Sequence, residues 1–131
     1  MTQDRLSRSY GQRVWYIPDG YLPVLTAEQG ELVSHESLCL LNATPYEAHL
    51  RLTVYFEDRD PIKNIALTLP PERTRHVRLD RPEQLGGHQL PRGVPYAVKV
   101  ESDVPIVVQL SRMDVTQPNL ALMTTMGYPA G

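Results

Sequence analysis

The feature that most constrains the fold of this chain is a series of short segments in which apolar and polar residues alternate. Within residues 48–56 every second residue is apolar, whereas the residues between them, such as His49 and Arg51, are polar. Successive side chains of a strand point to opposite faces of a sheet, so a period of two is typical of a strand with one face on a core. The chain is therefore expected to be built from β-sheets.

Eight such segments are expected, and turn signals separate them. The predicted strands lie near residues 13–17, 33–42, 48–56, 63–69, 74–79, 94–102, 105–113 and 120–127. Turns are expected at Asp19-Gly20, at Pro70-Pro71 and before Pro105. Residues 120–127 also fit a short helix. Strands at this spacing favour a β-sandwich or barrel, and we predict an all-β, single-domain antiparallel β-sandwich.

Length and composition fit one globular domain. The chain has 131 residues, of which 41% are hydrophobic and 21% charged, with a formal net charge of −2. We expect a flexible polar arm over residues 1–11 and a folded domain over residues 12–131. No overall positive field would attract nucleic acid, and the basic residues between Arg73 and Arg81 are interpreted as a charged sheet edge. Nucleic acid is therefore not an expected partner.

Cysteine content and the N-terminal sequence indicate the compartment. Cys39 is the only cysteine, so no intramolecular disulfide can form, which fits a reducing environment. The first 13 residues lack the apolar core of a signal peptide, and no apolar stretch is long enough to span a bilayer. A cytoplasmic location is expected, and if this protein serves a membrane receptor, it does so as a separate soluble partner of that receptor.

Motifs for phosphate binding, nucleophilic catalysis and metal binding are missing from the sequence. No nucleophile has an evident base beside it, so an enzyme is disfavoured. We expect neither a cofactor nor a metal.

Two pairs of polar residues are candidates for a binding site. His35 and Glu36 are adjacent on a predicted strand, so they point to opposite faces and cannot form one acid–base pair. The alternatives for this pair are a role in a site, or a hydrogen-bonded buried group beside an exposed charge. Arg112 and Asp114 share a face at the end of a strand, where they form either a structural ion pair or a set of donors and acceptors for a polyhydroxyl ligand.

Trp15 and Asn42 complete the candidates taken from the residues themselves. Trp15, the only tryptophan, is interpreted either as a core aromatic or as a wall against which a sugar could pack. Asn42 ends its strand and either caps the following turn or contributes to the site.

A set of short motifs, in order along nearly the whole chain from Gln12 to Tyr128, resembles the Anabaena sensory rhodopsin transducer family. The motifs are Trp15 with Gly20-Tyr21-Leu22-Pro23, Ser34-His35-Glu36 leading to Cys39 and Leu41-Asn42-Ala43, Leu52-Thr53-Val54-Tyr55 followed by Pro61, Leu69-Pro70, Arg73-Thr74 with His76-Val77-Arg78, and residues 102–109 running to Arg112 and Asp114.

The resemblance implies a small cytoplasmic β-sandwich that assembles into a homotetramer. It also implies a family thought to comprise domains that bind small molecules such as sugars, whose founding member couples to a membrane photoreceptor. The polar positions of the family would fall here on His35, Glu36, Asn42, Arg73, His76, Gln109, Arg112 and Asp114. Leu110 stands where a polar residue is expected in the photoreceptor's transducer.

From these features we predict a non-enzymatic domain that binds a small polar ligand through those residues, with Trp15 as an apolar wall. The alternative is a soluble transducer that docks on a membrane photoreceptor, with a contact to DNA through residues 73–81 as a further option within that alternative.

Overall fold

A computed structural model describes residues 9–24, 33–116 and 120–131. Within these ranges the chain forms eight β-strands and one short 3-10 helix, Pro82–Gln84, and residues 9 and 10 are helical. The strands are β1 (Gln12–Gly20), β2 (His35–Asn42), β3 (Ala48–Phe56), β4 (Ile62–Leu69), β5 (Arg73–Arg78), β6 (Tyr96–Asp114), β7 (Ala121–Met126) and β8 (Tyr128–Pro129). The predicted all-β antiparallel β-sandwich is confirmed.

Strand β6 belongs to two sheets and joins them. Its first part pairs with β3 and β1, giving a first sheet with the strand order β4-β3-β6-β1-β8. From Val107 onward it pairs with β2 and β7, giving a second sheet with the order β5-β2-β6-β7. All of these pairings are antiparallel.

The core lies between the inward faces of the two sheets. Leu50, Leu52 and Val54 of β3 are buried, whereas His49 and Arg51 on the other face are exposed, as the period of two predicts. In β2 the inward positions are the even-numbered ones from Glu36 to Asn42, and all four are buried. One of these four inward residues is a carboxylate, which a core normally excludes unless the group is paired.

The sequence-based strand assignment was wrong at one place in the middle of the chain. Residues 94–102 and 105–113 were predicted as two strands with a turn before Pro105, but β6 runs without interruption from Tyr96 to Asp114. The proline does not end the strand because it lies where the strand leaves one sheet for the other. The ladder between β1 and β6 is irregular there, between the pairs Gln12–Ile106 and Val14–Glu101.

Three further expectations meet different outcomes. Asp19-Gly20 is not a turn, because β1 continues through Gly20, which pairs with Tyr96. The segment that also fitted a helix forms strand β7. Of the predicted flexible arm, residues 1–8 lie outside the described residues. No helix among the described residues is long and apolar enough to cross a bilayer.

Candidate functional site

The centre of the candidate site is the carboxylate of Glu36, which is fully buried at the start of β2. Its Oε1 accepts hydrogen bonds from the Tyr96 hydroxyl and, at 2.7 Å, from the backbone N–H of Tyr21. Its Oε2 accepts a bond of 2.5 Å from Nε of Arg112. We call Glu36, Tyr96 and Arg112 the closing cluster.

The closing cluster brings together the two ends of a single strand. Tyr96 begins β6 and Arg112 lies near its end, sixteen residues later. A straight strand of that length would separate them by roughly 50 Å. Both side chains nevertheless bond to Glu36, so β6 must bend back sharply as it passes from one sheet to the other. Glu36 therefore links the two sheets at the end of the sandwich opposite the bend.

Burial and charge act together on the partners of Glu36. Burial raises the pKa of Tyr96, and the negative charge of Glu36 and their hydrogen bond raise it further, so the phenol stays protonated as a donor. Burial alone would lower the pKa of Arg112, but the hydrogen bond and charge of Glu36 outweigh it and raise that pKa. The guanidinium also reaches the exposed carboxylate of Asp19 at 3.8 Å. The cluster is thus a satisfied set of one anion, one cation and one neutral donor.

A second ion pair lies beside this end of the second sheet. Arg78 donates two bonds of 2.7 Å to the carboxylate of Asp80, and Arg92 approaches the same carboxylate at 3.6 Å. Burial acts to raise the pKa of Asp80, but the bonds and charge of Arg78 prevail and lower it. Arg92 also donates to the carbonyls of Pro23 and Ser34, each at 3.0 Å, so it holds the chain on both sides of residues 25–32.

Asn42 lies at the opposite end of β2 and organises the turn that follows. Its side-chain nitrogen donates to the carbonyls of Tyr46, Leu69 and Pro70, at 2.7, 3.1 and 3.2 Å. Its side-chain oxygen accepts from both the N–H and the hydroxyl of Thr44. Asn42 is fully buried and its amide is committed to these bonds, so its placement matches the turn-capping alternative.

Trp15 lies in the core at the bend of β6 rather than on a groove. It is 5% exposed, and its indole N–H is shared between the carbonyls of Gln12 and Ile106, at 3.0 and 3.1 Å. The same side chain therefore ties the start of β1 to the residue at which β6 changes sheets. This matches the interpretation of Trp15 as a core aromatic.

The remaining predicted residues do not converge with Glu36. His35 points to the other face of β2, with Nδ1 2.9 Å from the Val33 carbonyl. His76 and Gln109 flank Cys39 across the outer face of the second sheet. Arg73 is exposed opposite Asn42, and it donates to backbone carbonyls of its own turn. Of the nine predicted residues, only Glu36 and Arg112 are joined by a side-chain hydrogen bond or ion pair.

The structure does not form the ion pair between Arg112 and Asp114, which was one of the two alternatives for these residues. Asp114 accepts bonds from the N–H and hydroxyl of Thr116, at 2.8 and 2.6 Å, and so forms the turn after β6. Glu36 is the direct cross-strand neighbour of Arg112, and its longer side chain reaches Nε. Spacing along one strand could not reveal this, because the pairing depends on the register between two strands.

Sequence reasoning missed Tyr96, Tyr21, Asp19 and the group around Asp80. An alignment of β2 against β6 in the observed register would have placed Glu36 opposite Arg112, and a buried carboxylate then requires further donors. No local signal identifies Tyr96 as one of them. Its ring reaches Glu36 only because Gly20, its pairing partner, has no side chain in the way.

Among the described residues, no group of three or more histidine, cysteine, aspartate or glutamate side chains could hold a metal ion.

Comparisons with known proteins agree with the fold and with the sequence motifs. The family model described as Anabaena sensory rhodopsin transducer matches residues 10–129. A search of curated proteins found no match.

Two solved structures are similar over most of the chain. The crystal structure of Thermotoga maritima 1070 is 43% identical with a TM-score of 0.79, over 91% of this chain and 95% of that one. The Anabaena sensory rhodopsin transducer is 36% identical with a TM-score of 0.69, over 79% of this chain and 89% of that one. The resemblance seen in the sequence is therefore confirmed, and the chain belongs to the Anabaena sensory rhodopsin transducer family.

Proposed function

We propose that this protein is a non-catalytic signal transducer that docks on the cytoplasmic face of a membrane-embedded sensory rhodopsin. The observation that carries the proposal is the family match over residues 10–129, together with 36% identity to a protein named as such a transducer. The closing cluster supports it in a second way. Its anion and its cation are bonded to each other inside the sandwich, which fits a structural role in the frame of a binding module.

The outer face of the first sheet has the composition of a protein-docking surface. Tyr16 is the cross-strand neighbour of both Tyr128 and Lys99, and the Lys99 ammonium lies 5.8 Å from the centre of the Tyr16 ring. Tyr55 is exposed on the same sheet. Tyrosine is enriched at the energetic centres of protein interfaces because its ring buries a large apolar area while its hydroxyl can bond.

Calorimetric titration into a detergent-solubilised sensory rhodopsin, in the dark and under illumination, tests this proposal. We expect the wild-type protein to bind and the double variant Tyr16→Ser/Tyr128→Ser to bind about tenfold or more weakly, as expected for loss of interface tyrosines. Tyr46→Ser is the matched control, because Tyr46 is an exposed tyrosine in the turn before β3. An equal loss in the control would refute the docking surface, and no binding by the wild type would refute the transducer role.

We also propose that the functional unit is a homo-oligomer, and specifically a tetramer. This follows from membership of a family for which such an assembly is expected. Sedimentation equilibrium of the wild-type protein tests it directly, since a monomer at micromolar concentration would contradict it.

A second candidate function is the binding of a small polar ligand such as a sugar. One observation favours it: Asp19 lines a groove of about 440 Å³ between β1 and the β7–β8 segment, and its exposed carboxylate lies beside Arg112. A thermal-shift screen against sugars, sugar acids and polyols tests it, since a ligand at 100 times its dissociation constant adds about 2.7 kcal/mol of stability. A shift that disappears in Asp19→Asn would support this candidate, and no shift across the panel would reject it.

A further inference from the structure

Strand β5 is an edge of the second sheet, and its backbone groups face outward in a regular pattern. Among the described residues it pairs with β2 alone. The N–H of Leu79 bonds to β2, whereas the N–H of Arg78 bonds to the side chain of Gln84. Residues of an antiparallel ladder alternate in this respect, so the N–H and C=O groups of Thr74 and His76 also point away from β2. Both residues are exposed.

The side chains of β5 give this edge a positive charge. Arg73 and Arg75 lie opposite inward residues of β2, so they project from the same side of the strand. Both donate to backbone carbonyls, Arg75 to that of Thr68 in β4 at 2.9 Å. In the described part of the chain neither guanidinium has a carboxylate partner. Arg78 differs, because the carboxylate of Asp80 accepts two of its bonds.

These charges decide which kind of strand can pair with the edge. A second copy of β5 would bring three more arginines to an edge that already has three, and like charges across paired strands are destabilising. An acidic strand meets no such repulsion. In an antiparallel partner, the residues opposite Arg73 and Arg75 exchange no backbone bonds with them, and side chains approach each other most closely at such positions. Carboxylates at alternate positions would therefore lie against both guanidinium groups.

The space beside β5 has room for the side chains of an added strand. A groove of about 340 Å³ lies between β4, β5 and the 3-10 helix, and its lining includes Ala66, Thr68 and Arg75. Glu83 also lines this groove. Arg75 would attract an acidic side chain that enters the groove and Glu83 would repel it, so the two residues provide tests of opposite sign.

We propose that β5 binds an extended acidic segment of a partner protein as an added antiparallel strand, with carboxylates at alternate positions against Arg73 and Arg75. Strand addition takes its affinity from main-chain hydrogen bonds and its specificity from alternate side chains. DNA would satisfy the guanidinium groups and the outward N–H groups, but its phosphates supply no donor for the outward C=O groups of Thr74 and His76. The outward acceptors therefore favour a peptide over nucleic acid.

This surface is separate from the one proposed for the receptor. Tyr16, Tyr55 and Tyr128 belong to the first sheet, whereas β5 is an edge of the second. A signal transducer needs one contact for its input and another for its output, and β5 provides a surface for the second. The inference does not require a rhodopsin, so its test uses only this protein and a peptide.

The first test varies the peptide and keeps the wild-type protein. A fluorescent peptide with blocked ends, Val-Glu-Thr-Glu-Val, is expected to bind in fluorescence anisotropy with its central threonine opposite Thr74. N-methylation of that threonine removes an N–H that faces β5, and we expect binding to weaken about tenfold. N-methylation of the second glutamate is the matched control, because its N–H points away from β5. Val-Gln-Thr-Gln-Val should also bind about tenfold more weakly, since it has no charge to meet the arginines.

The second test varies the protein. Arg73→Gln/Arg75→Gln removes both cations, and we expect it to bind Val-Glu-Thr-Glu-Val about tenfold more weakly. Arg51→Gln/Arg59→Gln is the matched control, because it removes two exposed arginines elsewhere on the molecule and should leave binding unchanged. Glu83→Gln should tighten binding about threefold, since it removes the opposing carboxylate from the groove. Circular dichroism of each variant checks that the fold is kept.

The outcomes separate this inference from its rivals and from the proposed function. No binding of Val-Glu-Thr-Glu-Val by the wild type would overturn it, whatever the result with a rhodopsin. Equal binding of the two N-methylated peptides, with an oligodeoxynucleotide that binds as tightly and competes with them, would assign the edge to nucleic acid instead. An assembly that binds no peptide but changes its mass in Arg73→Gln/Arg75→Gln, measured by sedimentation equilibrium, would assign it to a second copy.

Discussion

The two ends of the sandwich carry similar groups in opposite surroundings. At one end Glu36 is fully buried, and Tyr96 and Arg112 bond to it. At the other, where β6 changes sheets, His49 bonds through Nδ1 to Asp103 at 2.8 Å and through Nε2 to Glu47 at 3.0 Å. There the side chains of His49 and Asp103 are more than half exposed.

The difference shows that burial, more than the number of charged contacts, determines how much a cluster contributes to the free energy of unfolding. Water competes for the groups at the bend, so their attraction is screened and exposed ion pairs stabilise little. Around Glu36 water cannot replace a lost partner, so each missing bond leaves a buried polar group unsatisfied. The bend is formed by the backbone and by Trp15, whereas the opposite end is closed by side-chain electrostatics.

The largest expected effect comes from Glu36→Gln. This change keeps the shape of the side chain but removes the charge that compensates Arg112, and it turns an amide N–H₂ toward the guanidinium. Breaking a buried ion pair in this way is expected to cost about 3 kcal/mol in the free energy of unfolding, measured by urea denaturation. Asp19→Asn is the control, because it removes the exposed carboxylate beside the same arginine and should change stability little. Equal losses in the two variants would show that burial does not decide how much a carboxylate beside Arg112 contributes to stability.

A smaller effect is expected from Gly20→Ala. A Cβ at position 20 would lie 2.4–2.7 Å from three carbons of the Tyr96 ring, so the ring must move and draw its hydroxyl away from Glu36. Overpacking of this kind is expected to cost about 1–3 kcal/mol, measured by thermal unfolding. In a Tyr96→Leu background the same substitution should cost less, because the two positions are coupled. Purely additive losses would show that Gly20 does not act through Tyr96.

The smallest effect, and the one that depends on pH, is expected at the bend. The hydrogen bond to Asp103 is the main cause that raises the pKa of His49 above its usual value, with the charge of Asp103 adding to it. A raised pKa means that the folded state favours the protonated imidazole. The stabilisation is therefore complete below about pH 6.5, the ordinary histidine value, and is lost as the pH rises through the folded-state pKa.

His49→Gln should thus lower the melting temperature slightly near pH 6 and leave it unchanged near pH 9, in differential scanning fluorimetry. Asp103 remains ionised at the lower pH, because its bonds to His49 outweigh its partial burial and lower its pKa. Asp103→Asn should reproduce the same pH-dependent difference. A difference that stays constant from pH 6 to pH 9 would show that His49 acts through packing rather than charge.

The sequence predicted the strands well and the site only in part. The alternation in β3 gave both its bounds and its buried face, because both depend on residues within one strand. The assignment failed at residues 102–105, because a strand that passes between two sheets carries turn-like residues without forming a turn. Among the site residues, Glu36 and Arg112 were identified singly. Their pairing and the part played by Tyr96 were not, since these depend on the register and on the bend of β6.

By itself the sequence determined that this chain forms an antiparallel β-sandwich and belongs to the Anabaena sensory rhodopsin transducer family, because strand periodicity and ordered motifs are local properties of a chain. The tertiary structure alone decided which polar residues meet. It set Glu36 against Arg112 and Tyr96, committed Asn42 to a turn and left β7 as an open edge. The physical reason is that burial and hydrogen bonding depend on residues far apart in sequence. Neither is defined until the strands are paired in register.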